Sequence, residues 1–308
     1  MKYILIIHLF FLLLLPQICF SKELPPKEVF LRILHSDTQK QRERYTKVFL
    51  KCEQEAVNLM ISELRYKDVE KTNLIFTLIP KFDDVAIEPL LKTLVDKDQY
   101  IVSIGISLLG ILKTEKAFYS FILLLRDNNA RIRANASRAL GELKNDFAIP
   151  YLIEMLEDED PVVRRNAIIS LGKLKAKSSV SKLIECMRDP DFTISFSSIN
   201  ALSQIGGKEL TDTLIYLSEN SDGIFQHLVI QTLGEIRDTK AIPTLIKFLE
   251  SSSPLERAFA VEALSNYRGN WRVANALKRN LNDMSPFVRT VVKESLIALK
   301  KEQITNYQ

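Results

Sequence analysis

The feature of this sequence that most limits its fold is an internal repeat with a period of 31 residues. A four-residue pattern, Leu-Gly-x-Leu or Leu-Gly-x-Ile, recurs along the chain at constant spacing. Its first leucine belongs to a column formed by Leu78, Leu109, Leu140, Leu171, Leu202, Leu233, Leu264 and Leu296, with 32 residues in the last step alone. Periods between 20 and 50 residues are typical of arrays in which one small unit is stacked many times.

Each repeat predicts two helices. A second pattern opens an apolar segment after a short polar turn at Ala86, Ala148 and Ala241, and a proline near the first turn suits a helix start. Apolar residues recur at helical spacing in both segments, and no strand pattern competes. The loops between repeats are acidic or rich in Ser and Asn, which predicts helix breaks followed by N-caps. We call the two segments of each repeat helix A and helix B.

One helical hairpin cannot bury both of its faces, whereas stacked hairpins share a continuous core. The chain of 308 residues is 46% hydrophobic, with only 9 Gly and 11 Pro, which excludes collagen-like and disordered classes. The predicted fold class is therefore all-α, an α-solenoid of about eight helical hairpins.

The repeat that starts at Asp160-Pro161-Val162-Val163-Arg164 and runs through Leu174 resembles the HEAT-repeat family. The resemblance is to the short bacterial type first seen in phycobilisome-lyase proteins, and it covers about residues 52–301. It implies the solenoid fold with high specificity. It says little about function, because the family includes scaffolds, adaptors and enzyme subunits.

The resemblance also implies a structural role for a series of charged residues. A turn acid and a helix-A arginine are expected to satisfy backbone groups and to link neighbouring repeats. The residues concerned are Asp158, Arg133, Arg164, Arg257 and Arg289. The arginine column is interrupted by Val102, Ser195 and Gln226. We expect the series of charged contacts to be weaker in those repeats.

The segments outside the repeats suggest the remaining domain organisation. Residues 22–51 are expected to form N-terminal capping helices, residues 52–301 the solenoid, and residues 302–308 a frayed tail. Residues 1–21 combine Lys2, a short apolar run and the pair Cys19 and Ser21 at the spacing of a signal-peptidase site. The prediction is a cleaved signal peptide and export to the periplasm or cell envelope, without a membrane span after cleavage. An uncleaved membrane anchor and lipidation at Cys19 are the alternatives.

The sequence offers little for catalysis. After removal of the predicted signal peptide only His35 and His227 remain as histidines, and Cys52 and Cys186 as cysteines. The two thiols lie four repeats apart, too far to form a disulfide. Phosphate loops and nucleophile motifs are absent. The paired His-Glu dipeptides of the di-iron hydroxylase built on HEAT repeats are absent too, so we predict neither enzyme activity nor a metal or cofactor.

Nucleic acid is also an unfavoured partner. The formal charge is only +4, and the exposed helix-B rows, Tyr151-Lys182-Thr213-Thr244 and Glu154-Glu185-Tyr216-Lys247, carry mixed charge. Trp271, the single tryptophan, is expected to pack in the core or a turn.

The most unusual segment runs from residue 191 to residue 227. Phe192, Phe196 and Phe225 replace the family's usual Pro, Arg and Val, in repeats that have lost the arginine column. These residues, with His227, are the candidate partner-binding site, because large exposed apolar side chains are often hot spots of protein interfaces. The alternative is local repacking of two divergent repeats.

The sequence therefore predicts an exported, non-catalytic scaffold or adaptor with protein partners. The alternatives are an enzyme or enzyme subunit resembling the bilin lyases, and a purely structural spacer.

Overall fold

The computed structural model describes residues 24–221 and 223–305, and every regular element in these ranges is a helix. The predicted signal peptide, with Cys19, lies outside the described residues. The chain divides into two compact units, residues 1–108 and 109–308, and the division falls within α6.

The helices of the first unit are α1 (Pro26–Leu34), α2 (Gln39–Leu50), α3 (Glu53–Glu63), α4 (Val69–Leu78), α5 (Ile87–Thr93) and the start of α6 (Gln99–Leu112). Three aromatic rings form the centre of this unit. The ring centroids of Phe30 and Phe49 are 5.7 Å apart, and Phe82 meets Phe49 edge to face at 6.0 Å. This packing joins the expected capping helices to the first repeats.

The second unit contains α7 (Phe118–Leu124), α8 (Ala130–Leu143), α9 (Ile149–Glu154), α10 (Pro161–Lys173), α11 (Val180–Cys186), α12 (Phe192–Ile205), α13 (Lys208–Glu219), α14 (Gly223–Ile236), α15 (Ile242–Phe248), α16 (Pro254–Ser265), α17 (Trp271–Arg279) and α18 (Pro286–Thr305). The even-numbered helices of this unit are its A helices, and each packs side by side on the next. In chain order, α2 to α17 form eight pairs. The predicted all-α class of about eight hairpins is confirmed.

Polar side chains fix where the A helices begin. The side chain of Asn129 accepts a hydrogen bond from a backbone N–H in the first turn of α8, and Asp160, Asp191 and Ser253 do the same for α10, α12 and α16. Each cap satisfies a backbone donor that has no partner within the helix. The loop acids and serines therefore set the register of the array.

The turn after an A helix is tight because one residue adopts a left-handed backbone. Lys113, Lys144, Lys175 and Arg237 have φ between 50° and 58°, and Gly206 occupies the same column with φ 56°. A left-handed residue just beyond a helix end reverses the chain within a few residues.

The buried core has the same period as the sequence repeat. In the leucine column, Leu109, Leu140, Leu171, Leu202, Leu233 and Leu264 are all fully buried. The glycine that follows the leucine in four of the A helices lets the next A helix approach closely. A methyl group built on Gly172 would come within 2.9 Å of the Cα atom of Ala201, and one on Gly234 within 2.6 Å of the Cα atom of Ala263. The glycines are therefore packing residues.

The last helix is longer than expected, because α18 continues to Thr305 instead of ending at Lys301. Among the described residues, Cys52 and Cys186 are free thiols. Among residues 24–221 and 223–305, no helix has both the length and the apolar character to cross a membrane.

Candidate interaction surface

Four of the predicted structural residues form charged links between neighbouring repeats. The guanidinium group of Arg133 donates to both carboxylate oxygens of Asp158, at 2.7 and 2.8 Å, and that of Arg257 donates in the same way to Asp283. The side chain of Arg133 is 10% exposed and that of Asp158 7%, so this pair is largely withdrawn from water. A fork of two parallel bonds fixes the relative position of the two loops.

Each of these arginines also binds its own loop. One nitrogen of Arg133 donates to the carbonyl oxygens of Asp127 and Asn128 at the start of the repeat. Arg164 and Arg289 make the equivalent bonds, and Arg164 reaches Asp189 at 3.3 Å. The arginine column therefore closes each loop and, through the next acid, connects it to the following repeat.

Two of the three repeats that lack the arginine have a side-chain hydrogen bond in its place. The hydroxyl group of Ser195 donates to the carbonyl oxygen of Asp189, six residues earlier, as the arginines do. The side-chain amide of Gln226 donates to the carbonyl oxygen of Ser218. Both residues lack the charge for an ion pair; Ser195 keeps the loop bond of the arginines, whereas Gln226 bonds to the last turn of α13 instead.

The ion pairs change the acidity of their carboxylates. The hydrogen bond from Arg257 holds the pKa of Asp283 below its usual range. Burial is the largest single influence on the pKa of Asp158 and raises it, but the bond from Arg133, the backbone N–H of Asp160 and the charges of Arg133 and Arg164 together lower it below its usual range. Both acids therefore remain charged in the fold.

The phenylalanines predicted as a partner site are only partly brought together. Phe192 and Phe196 lie one turn apart at the start of α12, and their rings stack with centroids 6.1 Å apart. Phe192 is 72% exposed and Phe196 44% exposed. This stacked pair is an apolar surface open to solvent.

The other two candidates face elsewhere. Phe225 is half-buried under the guanidinium group of Arg188, whose carbon lies 3.9 Å from the ring centroid. His227 is buried and stacks on Phe259, with centroids 4.6 Å apart. Burial lowers the pKa of His227, so the ring is neutral near pH 7. His227 is therefore a packing residue in this geometry.

The stacked pair borders a shallow groove of about 610 Å³ between α10 and α12. Its lining combines the apolar side chains Ile169 and Phe196 with the amides of Asn166 and Asn200 and the cation Arg165. Amides can both donate and accept hydrogen bonds, which suits contact with a peptide backbone. No motif in the sequence singles out these amides, so sequence reasoning alone misses them.

Of the two places expected for Trp271, the core is wrong, whereas the residue does lie beside the turn that precedes a helix B. It is the first residue of α17 and is 68% exposed, with the guanidinium carbon of Arg272 5.6 Å from its ring centroid.

The exposed helix-B rows are mixed in charge, and their cations are paired across repeats. Lys182 binds Glu157 at 2.8 Å, and Lys247 binds Glu219 at 3.2 Å. In the part of the chain that the structure describes, no three His, Cys, Asp or Glu side chains converge as metal ligands would. Burial raises the pKa of Cys186 to about 11, so its thiol is protonated at neutral pH.

Comparison with known proteins identifies the architecture. The family model for HEAT repeats matches residues 87–171, 120–203, 149–224 and 211–297, which together cover more than half of the chain. The chain belongs to the HEAT-repeat family. The predicted family resemblance is thereby confirmed. A search of curated proteins gave no match.

Several solved structures are similar to this HEAT-repeat chain at low sequence identity. An archaeal HEAT-like repeats protein from Thermococcus onnurineus is 14% identical, with a TM-score of 0.45 over 70% of this chain and 97% of its own. The complex of CpcE and CpcF of phycocyanin lyase from a Nostoc strain is 16% identical, with a TM-score of 0.39 over 93% and 98%. Human deoxyhypusine hydroxylase is 16% identical, with a TM-score of 0.34 over 90% and 96%.

Proposed function

We propose that this HEAT-repeat protein is a non-catalytic adaptor that binds a protein partner in the cell envelope after export. The observation that carries the proposal is the stacked, solvent-exposed pair Phe192 and Phe196. Two aromatic rings on the first turn of one helix offer a large apolar contact at a low cost in side-chain entropy.

The surroundings of the pair support a binding role. α12 is packed between α10 and α14 and starts from the Asp191 cap, so the rings project from a fixed backbone. The groove lined by Asn166 and Asn200 begins at Phe196 and provides polar contacts beside the apolar ones. An apolar centre with a polar border is the usual composition of a protein interface.

The test is chemical cross-linking in intact cell envelopes, followed by purification of the tagged protein and identification of the captured partner. The variant Phe192→Ser/Phe196→Ser should lose the partner. The matched control, Tyr119→Ser/Phe147→Ser, removes two rings that are each 79% exposed elsewhere in the same unit and should retain it.

Because both phenylalanines project into solvent, the melting temperature of the double variant should fall by no more than a few degrees. Equal capture by the variant and the original protein would place the site elsewhere. A failure to capture any specific partner would favour a spacer, and a bound chromophore in the purified protein would favour the bilin-lyase alternative. Fractionation of the cells tests export separately.

A further inference from the structure

The turns that join each A helix to its helix B in the second unit are rich in cations. These six turns are residues 113–117, 144–148, 175–179, 206–210, 237–241 and 268–272. Together they carry ten Lys and Arg residues against four Asp and Glu residues. We call these six turns the basic edge.

The loops at the other ends of the A helices have the opposite composition. These loops are residues 126–129, 157–160, 188–191, 219–222, 250–253 and 281–285. They carry two Lys and Arg residues against eleven Asp and Glu residues, and the column arginines offset part of this negative charge. The small net charge of the chain therefore conceals a separation of charge between two edges.

Direct contacts show that the turns of the basic edge lie side by side. The side-chain amide of Asn145 donates to a carboxylate oxygen of Glu115, one turn earlier, at 2.8 Å. The hydroxyl group of Tyr267, beside the last turn, donates to the carbonyl oxygen of Asp238 in the turn before it, at 3.1 Å. Neighbouring packed helices are about 8–10 Å apart, so the cations of successive turns follow each other at about that distance.

The left-handed column is where the positive charge of this edge is most unusual. Glycine or asparagine commonly ends a helix in this conformation, because the Cβ atom of other residues is strained there. Five of the six turns have Lys or Arg in this column, and only Gly206 is a glycine. The dipole of an A helix favours a cation at its C-terminus, but a cation within the last turn would supply that without backbone strain. The column therefore keeps its charge at positions that glycine fits better.

Four cations of this column are available to a partner. They are the exposed residues Lys113, Lys144, Lys175 and Arg237. Among the residues that the structure describes, no carboxylate forms an ion pair with any of these four. Glu142 is close enough to Lys113 for that charge to help lower its pKa, but it is bonded to Lys173. Lys240 of the basic edge is paired with Asp212 and is not counted among the available cations.

Two exposed aromatic rings lie on the same edge. Phe147 is 79% exposed and follows Lys144 by three residues, and Trp271 is 68% exposed beside Arg272. Aromatic rings with neighbouring cations are typical of the bilayer interface, where the rings lie at headgroup level and the cations meet phosphates. Stacking of nucleic-acid bases uses successive aromatic side chains, whereas these two are four turns apart. The arrangement therefore favours a lipid surface over a nucleic-acid strand.

We propose that the basic edge docks the protein on the surface of a bilayer that contains anionic phospholipids, with Phe147 and Trp271 at the level of the headgroups. This inference goes beyond the proposed adaptor function and does not depend on Phe192 and Phe196. The same surface repels the acidic edge, so the charge separation also sets the orientation of the docked protein.

The experiment uses Trp271 as the probe, because it is the only tryptophan of the chain. The purified protein is mixed with vesicles of phosphatidylcholine that contain about 30% phosphatidylglycerol, or with phosphatidylcholine alone, at about 50 mM salt. With the anionic vesicles alone, the emission should shift to shorter wavelength and should be quenched by brominated lipid, and added salt should reverse both effects. Residues 1–23 are identical in all proteins compared, so any contribution from them cancels.

The decisive variant is Lys144→Gly/Lys175→Gly/Arg237→Gly, because glycine suits the left-handed backbone and leaves Trp271 in place. A cation beside an anionic bilayer contributes about fivefold to binding, so the variant should bind about a hundredfold more weakly. Circular dichroism should show a melting temperature no lower than that of the original protein, because the substitution relieves strain.

The matched control is Arg126→Gln/Arg131→Gln/Lys278→Gln, which removes three exposed cations from the opposite ends of the helices. It has the same net charge as the glycine variant and should change binding less than about threefold.

The proposal is overturned if neutral vesicles bind as tightly, if both variants lose binding equally, or if the bound protein shows no quenching of Trp271 by brominated lipid. Binding of soluble polyphosphate without binding of vesicles also overturns it and would assign the edge to a soluble anion. The two proposals fail separately: a partner captured through Phe192 and Phe196 without vesicle binding leaves the adaptor standing, and vesicle binding without capture leaves the basic edge standing.

Discussion

Replacing Gly234 by alanine should destabilise the protein, although the same change usually stabilises a helix. A methyl group at this position would lie 2.6 Å from the Cα atom, 2.8 Å from the Cβ atom and 3.0 Å from the carbonyl oxygen of Ala263. Ordinary carbon–carbon contacts are about 3.5–4.0 Å, so α14 and α16 would have to separate by about 1 Å. Two of these contacts are with backbone atoms, which cannot rotate away.

The magnitude follows from two opposing terms. Overpacking a well-packed interface costs about 1–3 kcal/mol, and the backbone contact places Gly234→Ala in the upper part of that range. The higher helix propensity of alanine offsets about 1 kcal/mol of this loss in stability. The free energy of unfolding should therefore fall by about 1–2 kcal/mol.

Gly110→Ala is the matched control, because Gly110 belongs to the same column. There the nearest atoms are the Cβ atom of Ala139 at 3.2 Å and its Cα atom at 3.4 Å. A shift of a few tenths of an ångström relieves this contact, so the propensity gain should cancel the cost to within about 0.5 kcal/mol.

Urea denaturation of the three proteins, followed by circular dichroism, gives the comparison. The midpoint should be lowest for Gly234→Ala, with Gly110→Ala close to the original protein. If Gly234→Ala proved as stable as Gly110→Ala, the glycine column would not be set by close approach of the A helices, and the argument would be refuted.

Two further predictions concern buried polar groups. Arg257→Ala leaves the carboxylate of Asp283, which is 6% exposed, without its partner and should lower the free energy of unfolding by about 3–5 kcal/mol in urea denaturation. Arg65→Ala breaks the ion pair with Asp96, in which the arginine is 58% exposed, and should lower the free energy of unfolding by less than about 1 kcal/mol. Equal losses in Arg257→Ala and Arg65→Ala would contradict the role of burial. For His227 the folded-state pKa is lowered by burial, so stability is fully present above the unfolded pKa of about 6.5 and is lost as the pH falls toward the folded value. His227→Phe should remove part of that loss between about pH 7 and pH 5 in melting curves, and an unchanged pH dependence would show that other groups cause it.

The fold could be predicted from the sequence because one spacing determines most of it. The leucine column lies in the buried face of the A helices from Leu78 to Leu264, and polar residues of the loops between repeats cap the next helix. Even the interrupted repeats preserve this geometry, because Ser195 makes the loop bond that an arginine makes elsewhere. Because the same pattern recurs in many repeats, one divergent copy does not hide it.

The candidate site was only partly predictable, because the sequence does not show which way each side chain faces. Phe196 and His227 occupy the same column, yet the first is 44% exposed and the second is buried against Phe259. Phe225 occupies the column of the buried residues Ile132 and Val163, where a larger ring fits only by turning toward Arg188. Residue type identified these positions as unusual, but the packing of the neighbouring helix decides which of them face solvent.

The surface of the array follows from the same periodicity as its core. In an array with one register, two adjacent columns can have opposite environments, as Val163 in the core and Val162 at the surface show. The exposed side of such a pair of columns is free to differ in composition from the core, as Val162, Ile224, Leu255 and Phe287 show at the second position of four A helices. In such a fold the informative unit for function is therefore the column across repeats.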